Sequence, residues 1–399
     1  DAGTSQNITL ASGNILNLVS NNTIAGANTT IAGGSVELNI LTPSNISISS
    51  LITTSGGLTK SGAGTLTFST AKTYTGLTSI NEGTLLYGIN DAISSGAVTV
   101  NGGTLDISTF SDTVGAVILQ KGTITGSSGV LISSASFSFR EGTVSAIIGG
   151  ASGITVTRIA TNTAPDSVVL LTRDNTYAGV TAITSGILRL GGAGGGTNTP
   201  LGTTGNGTTI AFGAALDLNG FTLGTAETIT SLNGTGFGPS GSSNMGAIMN
   251  SSGTPVSYSG NITMVAASRI NADYGALTFS GNLSGAFAFT SGGFSNSTYT
   301  GVIGSGALSV TKDGIGILTL SGDNSFTGAV TISSGTLKLG AAGGATNTPL
   351  GTTAGITTVA TGARFDLNGY TLGTAEPLTL NGVGYGLGDF ASGALMNSS

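Results

Sequence analysis

Apolar and polar residues alternate over short stretches along the whole chain, as in Leu66-Thr67-Phe68 and Leu337-Lys338-Leu339. A period of two residues places every second side chain on one face, which is the pattern of a half-buried β-strand. Asn-Gly pairs such as Asn219-Gly220 and Asn368-Gly369 separate these stretches, and both residue types tolerate the positive φ of a sharp corner. No segment shows the 3.6-residue period of a helix. The pattern predicts an all-β protein of many short strands.

The strand pattern is repeated in order. The stretch that begins at Asn175-Thr176-Tyr177 recurs 149 residues later at Asn324-Ser325-Phe326, and the same offset relates Pro200 to Pro349. A shorter unit beginning at Leu58 recurs at Val310. Ordered repeats of this kind are typical of solenoids, in which each repeat buries its apolar face against its neighbours.

Composition favours stacked coils over the alternative of β-sandwiches. Gly makes up 69 of 399 residues and charged residues only 7%, and small residues suit tightly stacked coils. We therefore predict a right-handed, single-stranded parallel β-helix, that is, a β-solenoid, of roughly 16–20 coils at about 4.8 Å per coil. It is expected to run as one continuous body over 1–399, with repeat modules near 57–106, 154–253 and 307–399 and more variable coils or loops between them.

The missing residue types limit the possible chemistry. The chain has no His, Cys or Trp, which excludes Ser-His-Asp and Cys-His catalysis and the usual zinc sites. A pair of carboxylates, as in glycosidases, remains possible. We nominate no catalytic, cofactor-binding or metal-binding residue and expect no cofactor. The net charge of −6 disfavours nucleic acid as a partner, and no apolar run reaches 18 residues, so we expect no membrane insertion by a helix of this segment.

A few polar residues recur at equivalent places and need an interpretation. Asp217 and Asp366 are interpreted as corner residues that accept backbone N–H groups in Asx turns, with cation or sugar contact as the alternative. Asn175 and Asn324 are expected to form amide ladders or cap turns, with ligand binding as the alternative.

Two neighbouring pairs of opposite charge are also considered. Arg173 with Asp174, and Asp323 near Lys312, are expected to be solvated surface charges or weak surface ion pairs.

The recurring aromatic residues are assigned to the core. Tyr74, Tyr177 and Phe326 hold a fixed place in their repeats, and Phe replaces Tyr in one copy, so packing inside the coil explains them better than stacking on a sugar. The glycine-rich segments 191–196, 234–238 and 340–344 are predicted to be loops, because none has the strand-to-helix context of a phosphate-binding loop.

The string from Gly62 to Leu85 resembles the passenger-associated transport repeat of type V autotransporters, and the copies that contain Tyr177 and Phe326 follow the same pattern. The resemblance implies a secreted β-helical stalk on the outer surface of a bacterium, normally with an N-terminal signal and a C-terminal membrane anchor. Family members are commonly adhesins or stalks, and some carry enzyme modules.

Three functions follow as hypotheses. The first is an extracellular structural stalk or filament with a role in cell contact, not an enzyme. The second is a dedicated adhesin that binds through loop insertions, for which 107–170 and 237–300 are candidates. The third is a carbohydrate-active β-helix enzyme, which the scattered positions of the charges disfavour.

The expected partners follow from the stalk and adhesin hypotheses. They are further repeats or copies of the chain, stacked end to end or side by side into fibres, together with cell-surface glycans or proteins. The repeat-like residues before Ser399 lead us to expect that the parent protein continues.

Overall fold

The computed structural model describes residues 7–9, 13–16, 22–25, 29–159, 167–237, 245–304, 306–385 and 392–398. Within these residues there are strands, turns and bends, and no helix. The chain divides into two compact units, Asp1–Thr181 with Asn198–Gly205, and Ala182–Thr197 with Asn206–Ser399. The expectation of one continuous body over 1–399 stays a prediction.

The described residues form short strands along the entire chain. The first half contains β1 (Asn7–Thr9), β2 (Gly13–Leu16), β3 (Asn22–Ile24), β4 (Thr30–Gly34), β5 (Leu38–Leu41), β6 (Ile46–Ile48), β7 (Leu51–Thr54), β8 (Leu58–Ser61), β9 (Thr65–Phe68), β10 (Thr78–Ile80), β11 (Thr84–Tyr87), β12 (Val98–Asp106), β13 (Asp112–Val114), β14 (Val117–Thr125), β15 (Val130–Ser133), β16 (Phe137–Phe139), β17 (Gly142–Val144), β18 (Ile147–Gly149), β19 (Ile154–Val156), β20 (Val168–Leu171), β21 (Thr181–Ile183) and β22 (Gly186–Leu190). The second half contains β23 (Asn198–Thr199), β24 (Gly202–Thr203), β25 (Thr208–Ile210), β26 (Ala214–Asp217), β27 (Ile229–Gly234), β28 (Ile248–Asn250), β29 (Val256–Tyr258), β30 (Ile262–Ala272), β31 (Leu277–Phe279), β32 (Leu283–Ser284), β33 (Ala288–Gly292), β34 (Ser297–Tyr299), β35 (Ile303–Gly304), β36 (Ser309–Lys312), β37 (Ile317–Leu320), β38 (Val330–Ile332), β39 (Thr336–Leu339), β40 (Thr357–Val359), β41 (Arg364–Asp366), β42 (Leu378–Leu380) and β43 (Leu395–Met396).

In the first unit, parallel strands stack in register from one coil to the next. One column of inward side chains runs through Leu38, Leu58, Thr78, Val98 and Val117 on β5, β8, β10, β12 and β14. A second column consists of apolar residues throughout and runs through Leu66, Leu85, Leu105, Ile124 and Val144. All of these residues are buried, so the alternating pattern of the sequence becomes the wall of a parallel β-solenoid.

The second unit shows three such columns in each coil. The first contains Ile262, Leu283 and Ile303, and the second Phe289, Val310 and Val330. The third contains Leu277, Ser297, Leu318, Leu337 and Phe365. Both units are thus parallel β-solenoids, which confirms the predicted fold class. The predicted right-handed winding is the hand that parallel crossovers almost always take, and it stays a prediction.

The repeated aromatic residues occupy the core, as predicted. Tyr177 and Phe326 are both 0% exposed, and Tyr74 is 1% exposed. The hydroxyl groups of Tyr74 and Tyr177 lie against the hydroxyls of Thr78 and Thr181.

The third copy has Phe326 in the aromatic position and the apolar Val330 four residues later. A buried tyrosine needs a partner for its hydroxyl and a phenylalanine does not. The copies with tyrosine therefore have threonine four residues later, whereas the copy with phenylalanine has valine there.

A short antiparallel hairpin interrupts the parallel stacking in each long repeat. In the first copy Thr199 pairs with Gly202, and in the second Thr348 pairs with Gly351. A Cβ at Gly202 would lie 2.6 Å from the Tyr177 ring, so only glycine lets the hairpin lie flat on the aromatic side chain. The hairpins are therefore packed parts of the repeat, and the flanking segments 191–196 and 340–344 lie largely outside strands as predicted.

The segments proposed as loop insertions are mostly regular coils. Within 107–170 the chain forms β13 to β19, and within 237–300 it forms β28 to β34. Residues 160–166 and 238–244 lie outside the described part. The described residues of these two segments thus keep the stacking with a different sequence pattern, and the division into repeat modules with more variable coils or loops between them stays a prediction.

Replacing Phe326 by Ala should lower the free energy of unfolding by about 3–5 kcal/mol, because it removes a fully buried ring and leaves a cavity. Circular dichroism at increasing denaturant or temperature measures this change. Phe212, which is 76% exposed, provides the control, and its replacement by Ala should change the free energy of unfolding by no more than about 0.5 kcal/mol. Equal effects of the two substitutions would contradict the core assignment.

Candidate functional site

Among the described residues, three lysines are buried and bind backbone carbonyls, namely Lys60, Lys72 and Lys312. Two of them, Lys60 and Lys312, occupy equivalent corners of their repeats. Lys60 Nζ donates to the carbonyl oxygens of Ser61, Gly62 and Glu82 at 3.1, 2.6 and 2.9 Å. The three N–H groups of an ammonium match three acceptors. Burial lowers the pKa of Lys60 to about 8, so the ammonium form persists at neutral pH and ties one coil to the next.

Lys312 makes the equivalent contacts in the later repeat. Its Nζ donates to the carbonyl oxygens of Asp313, Gly314 and Ser334 at 2.6, 2.8 and 3.2 Å, and burial lowers its pKa to about 8 as well. The prediction that Lys312 is a surface charge near Asp323 is wrong, because its side chain turns inward to satisfy corner carbonyls that no strand neighbour can bind.

Among the described residues, ion pairs form elsewhere than predicted. They join Lys121 to Glu141, Arg189 to Asp217, Arg269 to Asp313, and Lys338 to Asp366. Arg173 and Asp174 do not pair with each other, which agrees with the interpretation as solvated charges.

The recurring aspartates form the predicted Asx turns. Asp217 Oδ1 accepts the backbone N–H groups of Asn219 and Ser251 at 3.0 and 3.1 Å. Its Oδ2 accepts the Ser251 hydroxyl at 2.6 Å and Arg189 Nε at 2.7 Å. Because both carboxylate oxygens are already occupied, Asp217 fixes a corner and is not available to a ligand.

Asp366 repeats this arrangement with Asn368 and Ser398. Burial opposes its ionisation, but the hydrogen bonds from Ser398 and Asn368 outweigh that effect and lower its pKa. The turn residues Asn219 and Asn368 both have φ of 48°, which explains why Asn stands at these corners.

The recurring asparagines bridge coils and do not form ladders with each other. Asn175 Oδ1 accepts the Ile148 N–H at 3.0 Å, and its Nδ2 donates to the Pro200 carbonyl at 2.7 Å. Asn324 makes the same two bonds with Ile303 and Pro349, both at 2.7 Å. Each amide joins a strand of the preceding coil to the hairpin that follows, so its role is structural, as predicted, although its geometry is different.

Two buried acids have no counterpart in the sequence interpretation. Glu227 is 1% exposed, and its Oε1 accepts the Thr208 hydroxyl at 3.3 Å. Burial raises the pKa of Glu227 to about 7 and that of Asp112 to about 6. Burial removes both carboxyls from water and so favours their neutral form.

One groove of about 480 Å³ in the second unit combines charged, polar and aromatic side chains. Its lining residues are Met245, Ser251, Arg269, Asn271, Asp273, Tyr274, Gly293, Phe294, Asp313 and Gly314. Most of the groove is formed near the end of β30, by Arg269 and Asn271, and by the turns that follow β30, β33 and β36, which the parallel register places at the same corner of successive coils. The other two lining residues, Met245 and Ser251, lie before and after β28.

The floor of the groove is an ion pair that spans three coils. Arg269 Nη1 and Nη2 each donate to one oxygen of Asp313 at 2.7 Å, and Arg269 Nε donates to Asn271 Oδ1 at 2.8 Å. A Cβ at Gly292 on the intervening coil would lie 2.2 Å from Arg269 Nη2. Glycine at this position therefore leaves the space in which the two side chains meet.

Two aromatic rings and a further carboxylate border this floor. Tyr274 and Phe294 are 72% and 70% exposed. Asp273 Oδ1 accepts the Asn271 amide at 3.2 Å, and burial raises the pKa of Asp273 to about 6. The prediction that charges are scattered is wrong for this corner. Arg269 and Asp313 are 44 residues apart in the sequence, but the stacking of three successive coils brings their side chains into contact.

Among the described residues there is no group of three or more side chains suited to hold a metal ion. The same part of the chain contains no helix long and apolar enough to cross a membrane.

Both units are parallel β-solenoids, and three segments of the chain match the model of a known repeat family. The model of the passenger-associated-transport-repeat matches residues 58–86, 168–190 and 310–339. The chain therefore carries three copies of this repeat, as the resemblance predicted. No curated protein matches the chain, and no solved structure does.

Replacing Lys60 or Lys312 by Met should lower the free energy of unfolding by about 1–3 kcal/mol, because it leaves buried carbonyl groups without donors. Thermal unfolding followed by circular dichroism measures the loss. Lys121, whose side chain is 67% exposed, is the matched control, and Lys121→Met should have little effect. Unchanged melting of both buried-lysine variants would show that the ammonium contacts do not stabilise the corners.

The folded state should lose stability between about pH 4.5 and 7 through Glu227. Its pKa is raised to about 7 in the folded chain from 4.5, so its contribution is fully present below pH 4.5 and is lost as the pH rises through 7. Glu227→Gln should flatten this part of a plot of melting temperature against pH, whereas the exposed Glu37 changed to Gln should not. If melting temperature fell with pH as steeply in the Glu227→Gln variant as in the unchanged chain, the assignment of this pH dependence to Glu227 would be wrong.

Proposed function

We propose that this chain is the passenger part of a secreted bacterial surface protein, and that it serves as a structural scaffold with a role in cell contact. The observation that carries the proposal is the occurrence of three passenger-associated-transport-repeats within parallel β-solenoid units. Localisation at the outer cell surface and the use of the chain as a stalk or filament are parts of this proposal.

The structural role is supported by how the polar groups are used. The buried lysines, the turn aspartates and the bridging asparagines all bind backbone groups of neighbouring coils. Their contacts hold the corners of the coils, so few of their polar atoms remain available to bind a ligand, which is the arrangement expected of a scaffold. Further coils or copies of the same chain are the partners that such a scaffold would take in a fibre.

An adhesive role is favoured by a separate observation, the groove of the second unit. Its exposed rings Tyr274 and Phe294 border fixed polar groups, and exposed apolar groups around a polar centre are typical of binding sites. An adhesin built on this scaffold would bind through the groove at the coil corners and would not need the loop insertions expected from the sequence.

An enzyme of the carbohydrate-active kind has less support. The Asp313 carboxylate is held by two hydrogen bonds from Arg269, and this bidentate pair fixes it as part of the floor of the groove. Asp273 would then act without a second carboxyl in the groove free for the complementary step of glycoside hydrolysis.

The proposal is tested by surface display. The chain is placed between the secretion signal and the membrane-anchoring unit of a laboratory autotransporter, and intact cells are labelled with an antibody to the chain. We expect labelling of intact cells and its loss after external protease, because the solenoid should be exported and fold outside. The anchoring unit expressed without the chain is the control.

Retention of the chain inside cells whose anchoring unit reaches the surface would contradict the proposal. A protein from the native source that is found only in the cytoplasm would contradict it as well.

A further inference from the structure

We propose that the groove of Arg269, Asn271, Asp273, Tyr274, Phe294 and Asp313 binds an uncharged oligosaccharide. The inference rests on the proposed surface function and names the class of ligand that the surface would contact. It depends on three properties of the groove: its aromatic borders, its fixed hydrogen-bonding floor and its charge.

The aromatic borders suit the faces of sugar rings. Tyr274 and Phe294 lie in the turns after β30 and β33, and about 70% of each side chain is in contact with solvent. Neither ring contributes to the core, so packing of the solenoid does not explain why large apolar groups stand at these two corners. The face of a pyranose ring presents C–H groups that pack against an aromatic ring, while its hydroxyls at the edge remain free to bond.

The floor offers donors and acceptors in a fixed arrangement. A guanidinium has five N–H groups, and the bonds to Asp313 and Asn271 use three of those of Arg269. Each carboxylate oxygen of Asp313 can accept a further bond. Because the pair is bidentate and confined over Gly292, little side-chain entropy is lost when vicinal hydroxyls bind to it.

The balance of charge selects among sugars. One guanidinium faces two carboxylates, those of Asp273 and Asp313, so the groove carries no surplus of positive charge. The buried Lys312 ammonium binds the backbone carbonyls of Asp313 and Gly314 and balances the second carboxylate. A uronic acid or a sialic acid would therefore find no net positive charge to pair with, which favours an uncharged sugar. The groove has a volume of about 480 Å³, which lies within the usual range of roughly 300–1,000 Å³ for small-molecule sites. It is open to solvent, so a chain of sugars can extend beyond it.

The test measures binding of the full 399-residue chain to an array of immobilised neutral, sialylated and sulfated oligosaccharides, followed by solution titration of the neutral sugars that bind. Tyr274→Ala and Phe294→Ala should each weaken binding about tenfold or more, as loss of a central aromatic contact does. Tyr274→Phe should retain binding, because it keeps the ring. Phe212→Ala removes a ring of similar exposure outside the groove and should bind like the unchanged chain.

Each variant is first compared with the unchanged chain by thermal unfolding, and all should melt alike because the replaced rings are exposed. The inference is overturned if the chain binds no neutral oligosaccharide up to millimolar concentration, if it binds only acidic sugars, or if the groove variants bind as well as Phe212→Ala. Surface display separates the two proposals. A chain that is displayed but binds no neutral sugar contradicts this inference alone, and a chain that is not displayed contradicts the proposed function.

Discussion

The parallel backbone ladder between successive coils is the interaction on which the structure depends. Each inward side chain stands above its counterpart in the previous coil, as Leu66, Leu85 and Leu105 do. A shift of one residue would turn every apolar side chain outward, so the ladder and the apolar pattern fix each other. The register then decides where every corner lies, and the corners carry the buried lysines Lys60 and Lys312, the turn aspartates and the charged pair of the groove.

Corners are where a ladder leaves backbone groups without partners, and the chain satisfies them with side chains of three kinds. Lys60 and Lys312 donate to groups of carbonyls, Asp217 accepts amides, and Asn175 does both at once. Buried polar groups without a partner are costly. The few charged and amide residues of a chain with only 7% charge are therefore used largely to complete the backbone.

The groove of the second unit follows from the same stacking. Its charged pair joins residues 44 positions apart, which the register sets two coils apart at one corner, and Gly292 of the coil between them provides the space. Tyr274 and Phe294 are exposed there because the turns that carry them point away from the core. A scaffold of repeated coils thus acquires a site of distinct composition by changing a few turn residues and leaving its strands intact.

How much of this the sequence alone could predict depends on the range of the interaction. The period of two residues predicted the strands, and the fixed place of Tyr177 and Phe326 in the repeat predicted their burial, because both patterns are visible in the sequence without knowing which coils are in contact. The Asx turns of Asp217 and Asp366 could also be predicted, since an aspartate binds the amide two residues later.

The inward turn of Lys312 and the pairing of Arg269 with Asp313 could not be predicted, and neither could the regular coils within 107–170. Each of these features depends on which residues the stacking places at the same corner. That placement follows from the exact length of every intervening coil. A difference of one residue in a turn moves the facing side chain to another position without changing the alternating pattern. The sequence by itself determined the strands and the inward face, and only the stacked structure decided which polar residues meet at a corner, because those contacts join residues one or two coils apart.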